Sequence, residues 1–121
     1  TAPNTKVDIA GDIALRAGAF TAVNGNNNNI NIGGTSFIRI TGPTAAFSIT
    51  GIAGGVDGKV VILYNAAATY NMTIANENTN STATNRITTL TGSGVVTTGV
   101  GAITLIYDST ASRWIVTSVR Q

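Results

Sequence analysis

The chain has 121 residues, 43% of them hydrophobic and only 10% charged, with a formal net charge of +2 and neither cysteine nor histidine. That length supports one hydrophobic core. Without Cys or His the chain has no disulfides and can build neither a Ser-His-Asp or Cys-His nucleophile nor an ordinary zinc site, and its Lys and Arg are too scattered to track a phosphate backbone.

Polarity comes mainly from Thr and Asn, in runs such as "NGNNNN" and "NENTNSTATN". Thr suits a half-buried pleated surface, whereas an amphipathic helix needs Glu, Lys and Arg on its wet side. The composition therefore predicts β-structure. In chain order, residues 1–12 read as an N-terminal arm and 13–121 as a single β-domain. Weak strand candidates stand at 7–9, 17–23 and 30–32. In "TSFIRITG", Ile38 and Ile40 share one face while Phe37 and Arg39 share the other. Phe47 and Ile49 pair in the same way in "AAFSITGI". Asp57-Gly58 marks a tight turn, and the "KVVILYN" that follows is apolar on both sides, as in a central strand or one covered by another subunit.

Further along, "YNMTIAN" aligns Tyr70, Met72 and Ile74, residues 86–90 form a weak candidate, and "AITLIYD" aligns Ile103, Leu105 and Tyr107. The loop "DSTAS" leads into "RWIVTSV", with Trp114 and Val116 on one side and Ile115 and Val119 on the other. "GSGVVTTG" reads as turn glycines. About nine or ten short strands at regular spacing predict an all-β sandwich or barrel.

No metal, cofactor or catalytic residue is expected. Asp8, Asp12, Asp57, Glu77 and Asp108 are the side-chain carboxylates, and Asp57 and Asp108 fall in predicted turns. Arg86 is the expected partner of Glu77. "GGVDGKV" departs twice from a phosphate-binding loop, with Ala53 in place of the first Gly and Val60 in place of the Ser or Thr that would hold magnesium. No apolar run approaches the about 20 residues of a membrane span, and no signal peptide is evident. Membrane insertion and nucleic-acid binding are not expected.

Three stretches carry a resemblance: "IRITGPTAAFSITGIAGGVDGKVVILYN", "ANENTNSTATNRI" and "GAITLIYDSTASRW". Together they resemble a module of tailed-bacteriophage virion proteins that occurs in tail fibres, tail spikes and head-surface proteins. The resemblance implies an antiparallel β-sandwich of the jelly-roll kind, a homotrimer, and a structural or adhesive role on the virion surface after synthesis in the host cytoplasm. No catalytic residue comes with it. The start at "TAPNTKVDI" reads as a complete protein with its methionine removed, and a small free-standing chain fits a capsid decoration or head-fibre subunit better than a tail-fibre tip.

Two-faced apolar strands in a 12.3 kDa domain point independently to self-association. Val61, Leu63, Tyr64, Tyr107, Trp114 and Ile115 are the expected subunit-packing residues. Thr1, Ala2, Pro3, Asn4, Thr5, Lys6 and Val7 are the expected capsid attachment. The alternative is a tail-fibre or spike knob for host attachment, gripping surface glycans through Asn26, Asn27, Asn28, Asn78 and Asn80. The expected partners are thus the chain itself, capsid or tail proteins, and in the alternative a host glycan.

Overall fold

In the computed structural model, which describes residues 7, 9–67 and 69–121, the chain winds in successive coils. Strand β1 (Ala17–Thr21) is followed by a short β2 (Gly25–Asn27), and the same succession returns as β3 (Phe37–Thr41) with β4 (Phe47–Ile49), then β5 (Val60–Asn65) with β6 (Met72–Ile74). β1, β3 and β5 stack in parallel, and so do β2, β4 and β6. Ala17 pairs with Phe37 and Phe37 with Ile62, so the first coil takes 37 − 17 = 20 residues and the second 62 − 37 = 25. A parallel bridge between Ile30 and Ile52 adds a third line of stacking.

After β6 the winding stops. β7 (Ile87–Thr88), β8 (Val95–Thr97), β9 (Gly101–Asp108) and β10 (Arg113–Arg120) complete two mixed sheets, one of six strands in the order β1-β3-β5-β9-β10-β7 and one of four in the order β2-β4-β6-β8. β9 runs antiparallel to both β5 and β10, and β8 runs antiparallel to β6.

The all-β expectation holds, and ten strands are present among the described residues. The antiparallel jelly-roll sandwich is not what the pairing gives: β1–β3, β3–β5, β2–β4, β4–β6 and β7–β10 are all parallel. The reason is physical. Alternation tells which face a strand buries but not which strand it pairs with, and a parallel pair needs a crossover of about a dozen residues or more. In the coils from β1 to β6 each crossover is a strand of the opposite sheet, so the result is a solenoid-like stack.

The core lies between the sheets. Ile38, Ile40, Val61, Leu63, Ile103, Leu105 and Trp114 from the larger sheet meet Phe47, Ile49, Met72 and Ile74 from the smaller. Trp114 is fully buried; its indole N–H donates to the Ile52 carbonyl at 2.8 Å, and Tyr107 meets it edge-on at 5.2 Å between ring centroids. Two asparagines are also buried and fully employed. Asn65 donates to the carbonyls of Tyr70 and Gly99 and accepts from the Ala67 N–H, tying the end of β5 to two neighbouring loops. Asn27 accepts from the Val23 N–H and donates to the carbonyls of Val23 and Ser48, joining the first coil to the second. An unmade bond inside a core costs about 1–3 kcal/mol, and no described buried side-chain polar atom lacks a partner.

A bulge in β10 between Val116 and Ser118 changes the side on which its last residues fall. Val119 sits opposite Ile103, not on the Ile115 side as plain alternation predicts.

Candidate functional site

The strongest candidate is the outer face of the six-stranded sheet. Strand alternation sends every second residue of β3, β5, β9 and β10 away from the core, and the parallel and antiparallel registers align those residues in rows. One row runs Ala17, Phe37, Ile62, Thr104, Ser118. A second runs Val60, Ile106, Ile115, Thr88. Between the first row and the far sheet margin lies Ala19, Arg39, Tyr64, Ala102, Arg120.

The centre of this surface is apolar. Phe37 and Val60 are exposed, Ile62, Tyr64, Ile106 and Ile115 are half-buried by one another, and Phe37 stacks on Tyr64 at 6.1 Å. Arg39 lies over the Tyr64 ring, its guanidinium carbon 5.4 Å from the centroid. A guanidinium held on an aromatic face covers apolar surface while keeping its donors in water. Among the described residues neither Arg39 nor Arg120 pairs with a carboxylate; the ion pair there joins Arg113 to Glu77.

The residues expected at a subunit seam divide by strand side. Val61, Leu63 and Trp114 are 0% exposed and Tyr107 is 8% exposed, so these four pack within their own chain. Tyr64 and Ile115 do lie on the outer face. "VVILYN", which holds Val60, Ile62 and Tyr64, was legible as two-faced, but its outward companions Phe37 and Ile106 were not joined to it. Ile106 stands between the inward Leu105 and Tyr107, a signal that becomes decisive only once strand order is known.

The expected glycan contacts are not brought together as one group. Asn27 is buried. Asn26 and Asn28 are exposed, and Asn28 accepts a 2.6 Å hydrogen bond from Thr50. Asn78 accepts from the Asn80 N–H within its own turn. Asn29 was not singled out, yet it holds the "NSTATN" loop to the first coil by accepting from the Thr82 N–H and the Asn85 amide. Of the expected attachment residues, Thr1, Ala2, Pro3, Asn4, Thr5 and Lys6 lie outside the described residues; Val7 is described and exposed.

Asp57, Asp108 and Glu77 serve local structure. Asp57 accepts from the Ser109 N–H at 2.9 Å, and hydrogen bonds from the backbone and side chain of Ser109 hold its carboxyl below the ordinary value. Asp108 caps the final hairpin loop by accepting from the N–H groups of Thr110 and Ala111. Glu77 takes a two-oxygen contact from Arg113 Nε at 2.8 and 2.9 Å, which corrects the expected Arg86 pairing; Arg86 donates instead to the Ser81 carbonyl. "GGVDGKV" forms a turn in which Gly58 has φ 77°, as Asp57-Gly58 predicts. The described residues enclose no pocket and no cluster of acidic side chains able to hold a metal ion.

No protein-family model matches the chain, and no curated protein matches it.

Proposed function

We propose that the chain is a non-enzymatic structural subunit that assembles with copies of itself through the outer face of the six-stranded sheet. The observation that carries this reading is the apolar band formed by Phe37, Val60, Ile62, Tyr64, Ile106 and Ile115, set mid-sheet with Arg39 and Arg120 along one margin. A central band with charged residues at its edge is the composition of a protein interface. Association also covers apolar surface in a chain with few charges to keep it apart.

The setting we propose is the exterior of a tailed-phage capsid, where a homotrimer decorates or reinforces the shell. Phage location and threefold number rest on the sequence resemblance; self-association rests on the sheet. In this proposal residues 1–7 attach the trimer to the capsid. The host-glycan alternative draws less support, because Asn27 gives its amide to its own backbone and Asn28 and Asn78 are engaged within the fold.

Two measurements test the reading. Light scattering should return a multiple of 12.3 kDa for the purified chain. Undecorated capsids should bind the protein and fail to bind a variant lacking residues 1–7; equal binding by both overturns the attachment role, and glycan binding without capsid binding favours the alternative.

A further inference from the structure

Residues 9–15 have the alternation of a strand without pairing as one. Ile9, Ile13 and Leu15 take odd positions, with Ala10, Asp12 and Ala14 between them. None of these residues belongs to a strand of either sheet, and Ile9, Ile13 and Leu15 are 49%, 71% and 48% exposed. Three large aliphatic side chains open to water on one segment call for a cover.

The segment's parity identifies the side on which that cover lies. In β1 the odd residues Ala17, Ala19 and Thr21 are exposed, whereas Phe20 packs on the core. The chain enters β1 fixed in line with β3, because the Arg16 carbonyl accepts from the N–H groups of both Ser36 and Phe37. Extended backward from that anchor as far as a bend at Ala10 and Gly11, residues 12–15 carry Ile13 and Leu15 in the direction of the sheet's outer face. Counting two residues back from the aligned Ala17 and Ile62 sets Leu15 level with Val60, the first residue of the Val60–Ile106–Ile115 row. Ile13 then overhangs the sheet, and the chain turns before Ile9.

The segment cannot stack beneath its own β1 as another coil. A parallel partner one coil away is 20 residues distant, as Phe37 is from Ala17, while residues 9–15 are within eight of it. The overhang and the uncovered face are both apolar, and they carry opposite charge. The segment carries Asp12, and the face carries Arg39 and Arg120, neither with a carboxylate partner among the described residues.

We infer that residues 9–15 of one subunit lie across the outer face of the six-stranded sheet of a second copy, seating Ile13 and Leu15 on the band around Phe37, Ile62 and Ile106. This rests on the self-association proposed above and names the element that clasps it. The apolar side of the segment is buried, and its backbone edges remain in water. Asp12 takes the segment's opposite, water-facing side, where longer-range attraction to Arg39 and Arg120 favours this seating. The mode differs from strand addition at an edge, because contact is with a sheet's face.

The absence of cysteine makes a direct test available. Ile13→Cys in one tagged population is mixed with Phe37→Cys, Ile62→Cys or Thr104→Cys in another, and with Thr73→Cys on the opposite sheet as control, then oxidised. Disulfide-linked heterodimers are expected with one or more of the three face positions and not with Thr73→Cys. No link to any of the three, or equal linking to the control, overturns the clasp. So does a double variant Ile13→Cys/Thr104→Cys that closes its disulfide within one chain when diluted among unmodified copies. Ile13→Asp should weaken association about tenfold to a hundredfold, the loss expected for one aliphatic side chain that no longer leaves water. Light scattering on the unmodified chain separates the two levels. Assembly without the cross-link overturns the clasp alone, and a monomer overturns the assembly reading and the clasp together.

Discussion

The two sheets have matching interiors and contrasting exteriors. Outward residues of the four-stranded sheet follow the row Asn26, Ser48, Thr73, Val96, three of them polar, while the six-stranded sheet presents Phe37, Ile62 and Thr104 beside Val60, Ile106 and Ile115. The same winding chain builds both. Backbone pairing therefore does not demand an apolar outer face; the smaller sheet is stable in water with amides and hydroxyls. Apolar residues on the larger sheet need a reason outside the fold, and the proposed second copy would supply it.

The contrast can be broken most severely from within. Trp114→Ala should cost about 3–5 kcal/mol through the lost side chain and the cavity left behind. Because Trp114 also donates to Ile52 in the third line of stacking, both sheets should melt in one transition displaced to lower temperature. Separate transitions in calorimetry would mean that the sheets are independent units.

Charge substitution sharpens the contrast directly. Ile62→Glu should weaken association by about 2–3 kcal/mol, near a hundredfold, because a carboxylate cannot be buried there unpaired. Thr73→Glu, at a comparable mid-sheet outward position of the smaller sheet, should leave association unchanged. Sedimentation velocity of the two variants reads the difference, and equal effects would remove the distinction between the faces.

The buried amides give a further, smaller comparison. Asn65→Ala strips partners from the Tyr70 and Gly99 carbonyls and the Ala67 N–H, and Asn27→Ala does the same to Val23 and Ser48. Each should lower stability by about 1–3 kcal/mol in chemical denaturation without altering the mass of the folded assembly.

Much of this was legible in the sequence, and the missing part has a common cause. Alternation located Ile38 and Ile40, Phe47 and Ile49, and Ile103, Leu105 and Tyr107 on inward faces, because a pleat imposes its period locally. It did not reveal β2 or β8. Each is only three residues long, with β2 inside an asparagine run and β8 inside "GSGVVTTG", and their extended form depends on stacking against β4 and β6. The coils take 20 and then 25 residues, so no fixed repeat marks the solenoid. The outer face was half legible for the same reason. Tyr64 and Ile115 could be found on two-faced strands, but joining them to Phe37 and Ile106 requires knowing that β3, β5, β9 and β10 are neighbours. Arg113 was separated from Glu77 by 36 positions, and the pair forms because the loop after β6 returns beside β10.

The smallest expected effect is a pH dependence at the sheet's rim. Ser109 stabilises the ionised form of Asp57, so the folded state holds this carboxyl below its unfolded value. The resulting stability is present above the unfolded pKa, about 3.9, and is lost as pH falls through the folded value. Asp57→Asn should therefore melt slightly below the unmodified chain at neutral pH, and the gap should close in strong acid. A gap that widens on acidification would reverse the assigned sign.

The most direct measurement is the mass of the unmodified chain in solution, followed by light scattering through a dilution series. A multiple of 12.3 kDa that falls toward one chain on dilution is expected if the band around Ile62 is an interface. A mass of 12.3 kDa at every concentration contradicts that role.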